Sequence, residues 1–147
     1  MAIRNIRKDG DEILRKISKP VEKMTPRLAE LIDDMFETME FEDGVGLAAP
    51  QVGVLRRIIV LNIDGEKYAL INPEIVETEG TQCGQEGCLS IPDVYMDVTR
   101  PNRVVVKALD REMNEMTIEG TELLARALCH EIDHLNGILF KDIAERE

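Results

Sequence analysis

Histidine occurs only twice in this 147-residue chain, and both copies fall in the run "ALCHEIDHLNGILF" at positions 127–140. His130 and His134 stand four apart with Glu131 between them. On an α-helix, residues at that spacing lie one turn apart on the same face, so both rings can reach one ion. Glu131 neighbours His134 without taking a ligand position. This is the H-E-x-x-H arrangement, in which the glutamate handles protons for a metal-activated water. Two histidines could also simply cap polar contacts on a half-buried helix. That both fall in one motif, with the glutamate in register, favours the metal.

Two donors hold an ion poorly, so a third is required. A longer form of the motif, H-E-x-x-H-x-x-G-x-x-H, is followed here as far as Gly137, but Phe140 stands where the last histidine belongs. Only thirteen residues follow His134, too few for a second helix to bring Asp142, Glu145 or Glu147 back. The third donor must therefore come from upstream, where no histidine remains. Thiolates are the leading candidates, since cysteine binds zinc and ferrous iron readily. Cys129 adjoins His130 and points about a quarter-turn away from the ligand face, which suits a small packed hydrophobe. Cys83 and Cys88 share the segment "GTQCGQEGCLSIP", which reads as a Gly-rich loop between β units. Spacing does not choose between them. Glycines around the second tilt the choice toward Cys88.

Elements must position these groups. The length suits one domain, 1–147, with a core that needs no disulfide staples. A hydrophobic fraction of 44% and a charged fraction of 32% are ordinary for a globular protein. No apolar run approaches membrane-spanning length, and the opening "MAIRNIRKDGDEILRK" makes a poor signal or transit peptide. A cytoplasmic protein is expected. The net charge of −11, without a basic cluster, argues against direct nucleic-acid binding. Three cysteines are poor material for a disulfide framework.

Thr25 can cap a first helix, Pro26 suits its first turn, and Gly44 follows its end. Leu28, Leu31, Ile32, Met35, Phe36 and Met39 recur at helical spacing and predict one buried stripe. "RRIIVLNI" and "EKYALIN" flank Asp64-Gly65, a favoured two-residue hairpin turn. A second β unit is expected from "RVVVKAL" (103–109) to "EMTIEG" (115–120). A last helix should begin near Thr121 and stop at Gly137, a natural left-handed cap. Hairpins set apart from two helices predict an α+β fold: mostly antiparallel sheets around a central C-terminal H-E-x-x-H helix, plus one N-terminal amphipathic helix.

Three motifs in order, "GVGLAAPQVG" (44–53), "EGCLS" (86–90) and "HEIDH" (130–134), resemble the signatures of the peptide deformylases. The opening "IRKDGDEILRKISKPV" resembles that family's N-terminal segment, so the likeness covers essentially the whole chain. It implies that Cys88 is the third ligand beside His130 and His134, and that Cys83 has no inherited role. The reaction implied is metal-dependent hydrolysis of the formyl group from the initiator N-formylmethionine of nascent polypeptides, releasing formate. Glu131 would shuttle the proton, while the Gln51 side-chain amide and the Leu89 backbone N–H would face the formyl oxygen. One divalent cation is expected, ferrous iron in the cell, with Zn2+, Ni2+ or Co2+ accepted by the same donors.

Gly46 is expected to let the substrate backbone approach closely. Val45, Leu123 and Ala127 are candidates for the methionine slot, although Leu123 suits a core place equally well. Arg126, four before His130, would pair with Glu86 or meet the peptide. Asp133 reads as a group that orients the metal helix. No membrane partner is expected. Some family members dock on the ribosome through a further C-terminal helix. Because this chain ends at "KDIAERE", a transient ribosome contact is the most the sequence supports. Two rival readings are an ordinary H-E-x-x-H peptidase, opposed by Phe140, and a metal-stapled binding module, which would not need Glu131.

Overall fold

A computed structural model describes residues 2–144. Glu145 and Glu147, weighed above as metal donors, lie outside the described residues. Helix α1 spans Pro26–Phe41, and the Thr25 side chain accepts the Leu28 N–H at 3.2 Å, as its sequence predicts. Strands β1 (Gly46–Ala48), β2 (Ile58–Ile63), β3 (Glu66–Glu79), β6 (Arg103–Leu109) and β7 (Glu115–Thr121) form one antiparallel sheet in the order β1-β2-β3-β6-β7. Strands β4 (Gln82–Cys88) and β5 (Ile91–Arg100) form a separate two-stranded sheet, and helix α2 spans Glu122–Leu135.

The apolar run of β2 is explained by its place in the middle. Ile58 and Val60 face α1, where they join Leu31, Ile32, Met35 and Met39. Ile59, Leu61 and Ile63 face the other way and join Leu128, Ile132 and Leu135 of α2. Successive strand residues point to opposite faces, so a strand covered by a helix on each side must be apolar throughout. The turn to β3 has Asp64 and Gly65 both left-handed, at φ 53° and 86°, as a two-residue hairpin of this type requires. Leu14, Ile91, Val98, Leu139 and Phe140 make a third cluster beneath β4–β5. Phe140 is therefore core, which accounts for the break in the longer metal motif.

The segment read as a Gly-rich loop is instead the β4–β5 hairpin. Gln82 pairs with Arg100 and Glu86 with Met96, then Cys88 pairs with Ile91 across the Leu89-Ser90 turn. Residues 92–95 bulge out opposite Gly87. The glycines that suggested a loop make room for side chains instead. A Cβ on Gly87 would lie 2.6 Å from the Tyr95 ring, and one on Gly84 would lie 3.3 Å from the Arg126 guanidinium.

Helix α2 stops where expected. Gly137 is left-handed at φ 75° and lies so close to the Arg15 carbonyl that a Cβ would sit 2.5 Å from its oxygen. The freed Leu135 carbonyl accepts from the Ser18 N–H at 2.9 Å and from Arg57 at 3.1 Å.

Candidate metal centre and its cleft

Because α2 carries His130 and His134 on one face, their Nε2 atoms come within 3.3 Å of each other. The Cys88 sulfur, at the end of β4, lies 3.4 Å from the His134 Nε2. One donor atom from each of the three residues falls within 4.8 Å of the others. An ion bound tetrahedrally, with nitrogen at about 2.0–2.1 Å and sulfur at about 2.3 Å, spaces its donors roughly 3.3–3.6 Å apart. The donor set fits such an ion. Cys129, on α2 itself, packs into the core, and burial pushes its thiol up to about 11. Cys83 is exposed. Neither joins the cluster.

The ring of His130 is oriented from behind. Its Nδ1 lies 2.8 Å from Oε1 of Glu86, which as an ionised carboxylate can only accept. Glu86 therefore holds a proton on Nδ1, which leaves Nε2 as the nitrogen that would bind a cation. Glu86 is itself gripped by Arg100 through two bonds of 2.9 Å and by Arg126 at 2.6 Å. Burial would raise its pKa, but Arg100 and His130 outweigh that and hold it at about 2. Arg100 also donates to Asp133 at 2.6 Å, which ties the hairpin to α2.

Burial disfavours charge on His130, yet Glu131, Cys88 and Glu86 prevail and push its pKa up to about 10. His134 is held well below its ordinary value by burial and by its neighbour His130. Glu131 is almost fully buried, which pushes its carboxyl up to about 7, and its Oε1 has no hydrogen-bond partner among the described residues.

Gln51 reaches the same place from the short 3₁₀ turn after β1. Its Oε1 accepts the Ala48 N–H at 2.9 Å, which fixes the amide and turns Nε2 toward the Ser90 hydroxyl at 3.1 Å and the Cys88 sulfur at 3.5 Å. A cleft of about 560 Å³ opens over the cluster, its walls including Val45, Gly46, Leu89, Leu123, Ala127 and Glu131. Val45 and Leu123 are half-exposed on that wall and Ala127 is buried, so Leu123 takes its cleft place and not its core one.

The Polypeptide deformylase family model matches residues 3–147. A peptide deformylase of Acetivibrio thermocellus is 63% identical over 97% of this chain and 84% of its own length. The crystal structure of the peptide deformylase from Thermotoga maritima superposes with a TM-score of 0.96 at 41% identity, covering 98% of this chain and 99% of that one. That from Synechococcus elongatus, solved in complex with actinonin, gives 0.95 at 43% identity over 98% of this chain and 80% of that one. The chain belongs to the polypeptide deformylase family. As a deformylase it is a hydrolase that removes the N-formyl group from nascent polypeptides.

The structure brings the ligand candidates Cys88, His130 and His134 together with Gln51, Leu89 and Glu131 at one cleft, and it adds some residues that sequence reasoning missed. Arg100 carried no signal, because its partners Glu86 and Asp133 lie fourteen and thirty-three residues away. Ser90 lay inside "EGCLS" but drew no attention, although its hydroxyl receives the Gln51 amide. Arg126 takes the first of its two expected roles and pairs with Glu86. Among the described residues, no helix is long and apolar enough to cross a membrane.

Proposed function

We propose that this chain acts as one catalytic domain, 1–147, which hydrolyses the formyl group of N-formylmethionyl peptides through one divalent cation held by Cys88, His130 and His134. The meeting of the Cys88 sulfur and both Nε2 atoms beside the buried carboxylate of Glu131 carries this reading. Bound there, the cation would activate water and polarise the formyl oxygen as a Lewis acid. Glu131 takes a proton from the attacking water and returns it to the departing nitrogen. The Gln51 amide, held by Ala48, and the Leu89 N–H donate to the formyl oxygen as charge develops on it. Val45, Leu123 and Ala127 line the slot for the methionine side chain, and Gly46 lets the substrate backbone pass close by.

Ferrous iron is the ion proposed in the cell, which elemental analysis of anaerobically purified protein tests directly. The place of action is the cytoplasm, with any ribosome contact transient. To test the reaction, metal-loaded protein is incubated with formyl-Met-peptide while formate and cleaved peptide bonds are measured. Formate alone supports deformylation, and internal cleavage or no product overturns it. Glu131→Gln should abolish turnover with the metal retained. Near-normal turnover in that variant removes Glu131 as the proton carrier.

A further inference from the structure

The proposed ligands come from two separate bodies. His130 and His134 belong to α2, whereas Cys88 belongs to the β4–β5 hairpin, which shares no strand pairing with the main sheet. Something must fix the hairpin's register against the helix. A slip of one pairing step, two residues, would carry the sulfur about 6.6 Å along the strand, out of reach of both rings.

Polar contacts recur along the seam between the two bodies, one or more at each turn of α2. The Glu122 carbonyl at the start of α2 accepts from Gln82 at 2.8 Å. One turn on, Arg126 donates to the carbonyls of Gly84 at 3.2 Å and Val98 at 3.0 Å and to the Glu86 carboxylate at 2.6 Å. A further turn on, His130 meets Glu86, and then Asp133 meets Arg100. Apolar faces slide at little cost, whereas a buried charge network tolerates one register, the best-attested use of such networks.

Arg126 has a particular place in this seam. It binds no metal and is buried to 8% exposure, yet its one guanidinium reaches both strands of the hairpin. The planar fork of arginine suits several fixed acceptors at once, as the point charge of lysine does not. Gly84 is matched to it, since a Cβ there would lie 3.3 Å from Nη2 and 3.6 Å from Cζ. We infer that Arg126 is a positioning residue that sets the register of β4–β5 on α2 and so places the Cys88 sulfur against the two imidazoles. This rests on the metal reading above.

The test uses the full chain loaded with cobalt(II), whose thiolate-to-metal absorption band reports the Cys88 bond and whose affinity is read by competition with a chelator. In parallel, the rate of Cys88 alkylation by iodoacetamide is measured in metal-free protein by peptide mapping. Arg126→Leu should weaken cobalt binding about 10–100-fold, as loss of a group that orients metal ligands typically does. It should also diminish the band and speed alkylation. Arg126→Lys should recover part of each. Gly84→Ala, a milder displacement of the same guanidinium, should shift all three readouts in the same direction, and it decides the matter should Arg126→Leu fail to fold. Parent-like affinity, band and alkylation in the folded variants overturn the role of Arg126 alone. A parent protein that binds cobalt without a sulfur band overturns the metal reading instead.

Discussion

Gly46 gives up its side-chain space to the carboxylate of Glu131. A Cβ at residue 46 would lie 2.5 Å from Oε2 of Glu131 and 2.9 Å from the Leu61 side chain. The sequence suggests a glycine that lets substrate backbone approach, but the neighbour that forbids a side chain is the proposed proton carrier. Gly46→Ala should therefore turn the Glu131 carboxylate aside and lower kcat about 10–100-fold, the scale set by a misplacement near 1 Å. Metal content should stay at the parent level. Steady-state kinetics with metal analysis checks this, and an unchanged kcat would show that the carboxylate has room to spare.

Glu86 orients His130 through its Nδ1. Glu86→Gln keeps the shape but removes the charge that selects the Nδ1 proton and neutralises Arg100 and Arg126. Metal affinity should fall about 10–100-fold. The metal-free protein should also lose about 3–5 kcal/mol, because two buried guanidinium groups are left short of a partner. Chelator competition reads the first effect and urea unfolding of the metal-free protein the second. A loss of affinity without loss of stability would separate ring orientation from charge balance.

Periodic features of the sequence carried most of the architecture. The stripe from Leu28 to Met39, the alternation around Asp64-Gly65 and the H-E-x-x-H spacing each encode structure within a few residues, so they could be read locally. The β4–β5 hairpin was obscured because Gly84 and Gly87 imitate a loop, while Gly84 makes room for Arg126 of α2 and Gly87 for Tyr95 of the paired strand. Cys88 could not be chosen over Cys83 by spacing, since the distinction depends on which residue lies at the hairpin tip. Gln51 is a comparable case. Its bond to Ala48 is local, but the Ser90 hydroxyl that takes its amide is thirty-nine residues away. Only the motif resemblance pointed to it.

The orientation of that amide sets the next expectation. In Gln51→Leu the donor toward the cleft disappears, and kcat should fall about 10²–10³-fold, as for other donors aimed at a developing oxyanion. The same change strands the buried Ala48 N–H, so stability should drop by about 1–3 kcal/mol. Kinetics at saturating formyl-peptide and urea unfolding would read the two effects separately. A rise in KM with kcat intact would instead make Gln51 a ground-state binding group.

Far from the cleft, Asp34 on α1 anchors the N-terminal segment. It accepts the Ala2 N–H at 2.7 Å and two bonds of 2.9 Å from Arg4, while the Arg4 N–H donates to the Thr38 hydroxyl at 2.8 Å. Burial would raise the Asp34 carboxyl, but the bonds from Ala2 and Arg4 outweigh it and hold the carboxyl below its ordinary value. Below the unfolded value of about 3.9, the unfolded chain therefore binds more protons at this group than the folded one, and stability rises with pH there. The contribution is complete above that value and is lost as pH falls through the lower folded value. Asp34→Asn should cost about 1.5–3 kcal/mol at neutral pH, the range for hydrogen bonds to a charged group. The gap between variant and parent should then narrow steadily below about pH 4. Urea midpoints for both proteins, measured from neutral pH down into the acid range, give that difference directly and cancel the titration of Glu86, which both retain. A gap that stays constant into acid would mean that Asp34 holds the segment by shape and not by charge.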